Sequence, residues 1–193
     1  VAAFTTSTGY GIAKYDNPEE LSVSDRNNIG YQYTDCPLYW ISVIYLNFAE
    51  AKAEMGSLTQ DDLNNSINKL QARAGLPAMP TTPDADPANN MGVSNLIWEI
   101  RRCRRCELIM DNWYRYWDLI RWHQLDKLDS TKYPNTMLGA NVSNVPDCEE
   151  ATKNGYIDAS DAQIRTYEAK HYFYPIPTTQ LTLNKNMKQN PGW

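Results

Sequence analysis

The sequence predicts a mostly α-helical fold, with a helical hairpin, a second helix pair, long loops and a small β-ribbon. Two stretches, 38–75 and 94–124, carry apolar residues at spacings of three and four, the period of an amphipathic helix. Elsewhere Gly, Pro, Asn, Asp and Ser are too frequent for long regular elements. We therefore expect one region with a loop-rich opening (1–36), a hairpin (38–75), a Pro-rich loop (77–92), Arg/Trp-rich helices (94–124) and a loop-rich end with short strands (125–193).

Composition narrows the functional classes. The net charge is -5 and the pI is near 5.0, which argues against a nucleic-acid surface because phosphate binding requires unpaired Lys and Arg. No apolar run approaches about 18 residues, so no transmembrane helix is predicted. The first residue is Val1, and neither a charged-then-apolar leader nor a lipid-acceptor cysteine follows it. We therefore expect a processed or truncated product.

The hairpin has clear start and stop signals. Apolar residues cover most of the surface early in 38–55, and Gly56 can supply the left-handed residue that ends this helix. The run Thr59-Gln-Asp-Asp62 resembles a capping box, and Gly75 ends the second helix. Its inner face is formed by Leu63, Ile67, Leu70 and Ala74. The hairpin spans about 37 residues, close to the tetratricopeptide period, and a lone hairpin needs neighbouring helices to cover its apolar faces.

Residues 94–122 concentrate six of the nine arginines and four of the six tryptophans, so a buried helix with ion pairs is predicted. A guanidinium removed from water needs carboxylate partners, and Glu107, Asp111 and Asp118 are local candidates. A structural network is favoured over an anion site. The residues assigned to it are Arg101, Arg104, Arg105, Glu107, Asp118, Arg121, Trp117 and Trp122. The pattern fits two helices, 94–110 and 113–124, joined at 111–112, or one bent helix.

The cysteines and histidines do not form a recognisable reactive site. Cys103 and Cys106 have dithiol spacing, but they lie inside a helical pattern, whereas redox motifs normally open a helix after a strand. The other thiols and the two histidines are scattered singly, which disfavours zinc. His123 is expected at a helix end and His171 in a strand. No cofactor or metal is predicted.

The last third of the chain carries turn and strand signals. Asn154-Gly155 is a strong turn signal, and Tyr156-Ile157 beside it favours a small antiparallel ribbon continued by apolar residues within 164–174. Pro175 and Pro177 enforce an extended backbone, after which Thr178 or Thr179 could cap one short turn.

Four pieces of sequence then form an ordered set: YLNFAEAKAEMG (45–56), INKLQARAGLP (67–77), EIRRCRRCEL with WDLIRW (99–108 and 117–122), and YFYPIP with QNPGW (172–177 and 189–193). This set resembles the C-terminal part of the SusD-like (RagB/SusD) family. The resemblance spans nearly the whole chain from about Thr8, and the ordered set is more specific than any single piece.

The resemblance implies a cell-surface, lipid-anchored protein of Bacteroidetes-type outer membranes that binds glycans and works with a SusC-like TonB-dependent transporter. It implies no enzymatic activity and a mostly α-helical fold with tetratricopeptide-like hairpins, of which this chain is less than half. The N-terminal hairpins and the lipid-bearing cysteine are expected upstream, so membrane contact would occur only through an anchor outside this chain.

The chain departs from the family pattern where carboxylates are expected. Trp40 and Val43 stand where the family tends to have Arg and Glu, and Cys103 stands where a Glu is usual. A Glu-Gly turn is replaced by the longer segment 111–114. We therefore expect the partners of the arginines among Glu99, Glu107 and Asp111.

Sugar capture requires an aromatic face for the apolar side of a pyranose and amides or carboxylates for its hydroxyl groups. Core positions are predicted for Trp40, Trp117 and Trp122. The ligand-binding candidates are Trp113 and Tyr114 beside Asp111 and Asn112, and Tyr31 and Tyr33 beside Gln32 and Asp35. For each candidate a structural role is the alternative, and it is the commoner use of such residues.

Two other functional classes are the alternatives to glycan binding. A glycoside hydrolase would need a matched pair of carboxylates across a cleft, and no motif identifies one. A helical-repeat scaffold would bind another protein through its hairpin groove without binding glycan. An upstream secretion signal with a lipid-acceptor cysteine would favour the glycan-binding class.

Overall fold

The structure, a computed structural model, describes residues 6–12, 14, 19, 22–27, 38–145, 152–160 and 163–193. The chain divides into two compact units, Tyr15–Arg115 and the combination of Val1–Lys14 with Tyr116–Trp193. The first unit contains the predicted hairpin and the first Arg/Trp-rich helix. The second unit contains the short strands.

The described residues of the first unit form five helices: α1 (Val23–Asn27), α2 (Ile41–Glu54), α3 (Gln60–Asn64), α4 (Ile67–Arg73) and α5 (Asn95–Glu107). A sixth, α6 (Tyr114–Arg121), begins at its end and continues into the second unit. Gly56 and Gly75 have φ angles of 66° and 69°, so both glycines end their helices in the left-handed conformation predicted for them.

The second arm of the hairpin is two short helices, whereas one continuous helix was predicted. It begins with the predicted capping box, in which Thr59 and Asp62 bond reciprocally. The backbone of Ser66 then leaves the helical region, with φ -131° and ψ -99°, and its Oγ donates to the carbonyl of Asp62 at 2.6 Å. Neighbouring Asn and Ser side chains compete with the helix for backbone partners, which explains the break.

The core of the first unit lies where α2, α4 and α5 pack together. Its buried members are Leu46, Ala49, Leu63, Ile67, Leu70, Met79, Ile100 and Leu108. The predicted inner-face residues of the hairpin are therefore core residues, except for Ala74, which is exposed. Since α5 supplies Ile100 to this core, the Arg-rich helix belongs to the same packed body as the hairpin.

The Pro-rich loop is anchored at two points. Met79 is buried, and its backbone N–H donates to Oδ1 of Asn68 at 2.7 Å while its carbonyl accepts from Nδ2 of the same residue at 3.2 Å. Further along, Trp98 Nε1 donates to Asp86 at 2.9 Å, and this bond lowers the pKa of the Asp86 carboxyl. The loop therefore follows the helices closely although it has no regular structure.

The second unit contains a three-stranded antiparallel sheet in the order β1 (Leu138–Asn141), β3 (Tyr156–Asp158), β2 (Thr152–Lys153). Register pairs are Leu138 with Asp158 and Thr152 with Ile157. Asn154 and Gly155 have φ angles of 54° and 80° and form the predicted turn. The strand β1 was not predicted, because Gly and Asn within it resemble loop sequence.

The remaining elements of the second unit are short. They are 3₁₀ turns at Leu125–Leu128, Pro134–Met137 and Ala169–Tyr172, and helix α7 (Thr178–Leu183). The expectation that the ribbon continues through 164–174 is wrong, and His171 lies in a 3₁₀ turn, not a strand. Helix α7 begins at the predicted position, but its N-cap is Pro177 and no side chain caps it.

The end of the chain folds back on the YFYPIP segment. Trp193 Nε1 donates to the carbonyls of Lys170 and Phe173 at 3.1 and 2.9 Å, and Asn190 Nδ2 donates to the carbonyl of Tyr174 at 2.7 Å. These bonds explain why the two sequence pieces occur together. No helix in the described part of the chain has the length and apolar character that crossing a membrane requires.

Candidate functional site

The joint between α5 and α6 has an unusual backbone. Met110, Asn112 and Trp113 have φ angles of 63°, 35° and 58°, so three of four consecutive residues are left-handed without being glycine. Such conformations are unfavourable for bulky residues and persist only where the surroundings enforce them. The structure thus has two helices with a strained joint, and the alternative of a single bent helix is wrong.

Hydrogen bonds hold the joint in this shape. The Asp111 N–H donates to the carbonyl of Leu108 at 3.2 Å, and the Tyr114 N–H donates to the carbonyl of Asp111 at 3.0 Å. The side-chain amide of Asn112 donates to the carbonyl of Leu38 at 3.2 Å, which ties the joint to the residues preceding α2. The backbone is therefore restrained from both sides.

The two aromatic candidates at the joint have different environments. Trp113 is 80% exposed, so the joint presents its indole to solvent. Tyr114 packs against the hydrophobic core, and the guanidinium of Arg104 lies 5.7 Å from its ring centroid. Tyr114 is therefore half-buried against the core, whereas Trp113 is an exposed surface residue.

A hollow of about 440 Å³ lies at the joint. Its lining residues are Leu108, Met110, Asp111, Asn112, Trp113 and Arg115. Asp111 is almost completely buried, whereas Asn112 and Trp113 are exposed. The joint therefore combines a large apolar ring, an amide and a recess of the size that small ligands occupy. The other two aromatic candidates, Tyr31 and Tyr33, lie outside the described residues.

Two arginines of α5, Arg101 and Arg104, pair with groups that the sequence did not identify. Arg101 contacts Glu50 and Glu54 of α2, at 3.2 and 3.1 Å. Buried Arg104 donates to Asn47 Oδ1 at 2.8 Å, also on α2. The only available signal was the four-residue spacing of Glu50 and Glu54, which places both on one helix face.

The other charged residues of the predicted network divide into local and long-range pairs. Glu99 pairs with Arg102 at 2.7 Å, and Asp118 pairs with Arg121 at 2.8 Å. Glu107 pairs with Arg73 of α4. Arg105 is exposed. The contacts of Arg101, Arg104 and Glu107 thus connect α5 to α2 and α4 within the first unit.

The tryptophans of α6 and its end contradict part of the core prediction. Trp122 is buried, and the Arg121 guanidinium lies 4.7 Å from its ring centroid. Trp117 is 53% exposed and is therefore not a core residue. The apolar spacing of the sequence predicted that Trp117 faces inward, but helical spacing alone does not determine which face of α6 is covered.

The cysteine pair has no reactive geometry. Cys103 and Cys106 are free thiols within α5, half-buried and exposed respectively. Burial, followed by the nearby Glu107 carboxylate, raises the pKa of Cys103 to about 11. A thiol with that pKa is protonated at neutral pH and is a poor nucleophile. The described residues contain no group of three His, Cys, Asp or Glu side chains that could hold a metal.

A second hollow, of about 210 Å³, lies in the second unit against β1 and β3. Its lining is polar and aliphatic, with Ser130, Lys153 and Asp158 facing Met137 and Ile164, and it includes no aromatic ring. It therefore lacks the flat apolar face on which a sugar stacks.

Comparison with solved structures finds SusD-like proteins. A SusD-like protein (BF3747) from Bacteroides fragilis NCTC 9343 shares 24% identity with a TM-score of 0.54, over 79% of this chain and 25% of that chain. BT4246 shares 27% identity with a TM-score of 0.57, over 81% of this chain and 23% of that one. Selenomethionine BT4246 shares 27% identity with a TM-score of 0.58, over 83% of this chain and 25% of that chain.

These matches confirm the predicted fold class, and this chain spans about a quarter of the length of the structures it matches. Comparison with curated proteins found no match. The family model described as the SusD family matches residues 1–193, the whole chain. The chain therefore belongs to the SusD family.

Proposed function

We propose that the full-length protein binds a polysaccharide or oligosaccharide at the cell surface and delivers it to a SusC-like TonB-dependent transporter of the outer membrane. Family membership supports a glycan-binding role in nutrient uptake. A lipid anchor outside this chain would hold the protein at the membrane. Binding would occur without cleavage of the glycan.

The exposure of the Trp113 indole is the observation in this chain that carries the proposal. Its indole is 80% exposed and lies at the rim of the 440 Å³ hollow. The C–H groups on one side of a pyranose ring form an apolar face that packs on such an indole. Because the left-handed backbone and the flanking hydrogen bonds hold the joint, the indole is presented with little conformational freedom to lose on binding.

Asn112 supplies the polar part of the site. One N–H of its amide bonds to Leu38, and the second N–H and the carbonyl oxygen can serve sugar hydroxyl groups. Asp111 is the one carboxylate lining the described hollow, and its burial suits a role in shaping the joint. A glycosidase needs two carboxylates flanking the bond, so this site supports binding and not hydrolysis.

The test is retardation of the full-length protein in native gels containing a panel of polysaccharides. Trp113→Ala should weaken binding to the retarding polysaccharide about tenfold, the loss of one stacked aromatic face, and Trp113→Phe should weaken it less. Tyr10→Ala is the control, because Tyr10 is an exposed aromatic in the other unit. Absence of retardation across a broad panel would contradict the proposal.

The transporter partnership needs a separate measurement. Affinity purification of the tagged full-length protein from outer membranes solubilised in detergent should co-purify a TonB-dependent β-barrel, identified by mass spectrometry. Recovery of the protein from the soluble fraction alone, without a barrel partner, would contradict the proposed localisation and partnership while leaving the glycan-binding test unaffected.

The scaffold alternative rests on an exposed apolar stripe along α2. Its members are Ile41, Ile44, Phe48 and Met55, at helical spacing. In helical-repeat proteins such a face packs on a neighbouring repeat. Because this chain spans about a quarter of the matched structures, we assign the stripe to packing within the full-length protein. Ile44→Asp should then lower the melting temperature of the full-length protein. If the stripe instead bound another protein, Ile44→Asp would leave the melting temperature unchanged and abolish binding of that partner.

A further inference from the structure

The second unit has an exposed aromatic cluster on α6 and the YFYPIP segment. Trp117 is 53% exposed and Tyr174 is 67% exposed, and half-buried Tyr116 lies between them. The Tyr116 and Trp117 rings meet edge to face, with centroids 5.5 Å apart and planes at 68°. The hydroxyl oxygens of Tyr116 and Tyr174 are 3.4 Å apart. These contacts define an organised surface, which we call the Tyr116–Trp117–Tyr174 platform.

The platform residues are held in position by a hydrogen bond to the Tyr174 backbone and by helix α6. The carbonyl of Tyr174 accepts from Asn190 Nδ2 at 2.7 Å, which fixes this residue against the end of the chain. Tyr116 and Trp117 lie on α6, where the helix restricts their rotamers. A ligand would therefore meet rings whose positions are already set, which reduces the entropic cost of binding.

The chemistry of the platform combines stacking with hydrogen-bond donors. The indole of Trp117 offers a broad apolar face and an N–H, and the two phenols each offer an O–H. The contact with Tyr174 raises the pKa of Tyr116, so its hydroxyl stays protonated at neutral pH. The charged residues that follow on α6, Asp118 and Arg121, bond to each other at 2.8 Å. The described surroundings therefore favour a neutral ligand over an ionic one.

We propose that the Tyr116–Trp117–Tyr174 platform is a second sugar-binding site, which stacks one neutral pyranose ring of a polysaccharide on Trp117 and bonds its hydroxyls through the two phenols. This inference rests on the proposed glycan-binding function and adds a site that is independent of Trp113.

The test uses the full-length protein and the polysaccharide that retards it in native gels, with dissociation constants measured by calorimetry on a soluble oligosaccharide fragment. Trp117→Ala should weaken binding about tenfold, and Tyr174→Phe about threefold, because it removes a hydroxyl and keeps the ring. Phe173→Ala is the matched control, since Phe173 is also 53% exposed and is adjacent to Tyr174. It should bind as the wild type does.

The outcomes separate the two proposals. If the wild type binds and both Trp117→Ala and Tyr174→Phe bind equally well, the second site is overturned while the proposed function stands. If the wild type binds no glycan in the panel, the proposed function fails and the platform fails with it. Circular dichroism and thermal melting check that each variant folds. If Trp117→Ala is unstable, Tyr116→Phe and Tyr174→Phe decide the question, because both retain the packed rings.

Discussion

Arg101 Nε lies 3.2 Å from Oε1 of Glu50, and both side chains are almost withdrawn from water, at 11% and 6% exposure. This contact joins the Arg-rich helix α5 to the first helix of the hairpin. Ions taken from water need a partner to offset lost hydration, so each side chain makes the burial of the other tolerable. The arginine cluster therefore acts chiefly as an attachment between helices.

Glu50→Ala should destabilise the protein by about 3 kcal/mol, because it leaves the Arg101 charge buried with less compensation. Glu54→Ala is the matched control: Glu54 also bonds to Arg101, but it is largely exposed, and surface pairs contribute about 0.5 kcal/mol. Urea unfolding of both variants measures the difference. Equal losses would show that burial of the pair does not determine its contribution.

The Asp62 carboxyl should make stability depend on pH at the acidic end. Hydrogen bonds from the Thr59 side chain and backbone lower the pKa of this carboxyl below the usual value of 3.8 for an aspartate. A carboxyl whose folded pKa is depressed stabilises the fold above its unfolded pKa, and this contribution is lost as pH falls through the folded value. An NMR titration should show Asp62 titrating below 3.8 in the wild type.

Thr59→Ala should move that pKa upward, because it removes the hydroxyl that donates to the carboxylate at 2.7 Å, the main cause of the lowered pKa. Thr81→Ala provides a control threonine in the same unit, outside the capping box. An Asp62 pKa that is unchanged in Thr59→Ala would contradict the capping-box explanation.

Gly139→Ala should destabilise the second unit by about 2 kcal/mol, the cost of overpacking. A methyl group at Gly139 would collide with the backbone carbonyl of Thr8, whose oxygen accepts from the Ala140 N–H at 2.8 Å. Gly11→Ala is the control, because a methyl group there meets nothing within 4 Å. Thermal unfolding measures the stability of both variants. A Gly139→Ala variant as stable as the wild type would contradict the close approach of Thr8 to β1.

Alkylation should distinguish the two cysteines of α5. Cys103 is half-buried and its pKa is about 11. Iodoacetamide at pH 8 should therefore alkylate exposed Cys106 about tenfold faster than Cys103. Peptide fragmentation in a mass spectrometer locates the label. The Cys106→Ser variant should show slow labelling at Cys103, and equal rates in the wild type would mean that the thiol is not shielded.

Local sequence signals located most of the helices. Gly56 and Gly75 end helices because only glycine adopts positive φ without strain, and Thr59 with Asp62 begins one because both groups bond within four residues. These devices depend on neighbours along the chain. The break at Ser66 was missed because a continuous apolar period conceals a local competition for backbone hydrogen bonds.

The candidate site was predicted in part. The sequence located the joint between α5 and α6, because the apolar rhythm and the family pattern both change at Asp111 and Asn112. It did not separate exposed Trp113 from packed Tyr114, which are adjacent in the chain. Their different environments follow from the left-handed backbone, which turns successive side chains away from helical directions.

The sequence by itself determined the fold class, the family resemblance and the helix ends, since each is set by periodicity or by residues within one helical turn of each other. Only the tertiary structure decided that Arg101 bonds to Glu50, about fifty positions away in the chain, and that Trp117 faces outward. Partner choice and exposure depend on how distant helices pack, and their energies arise from burial that no local pattern specifies.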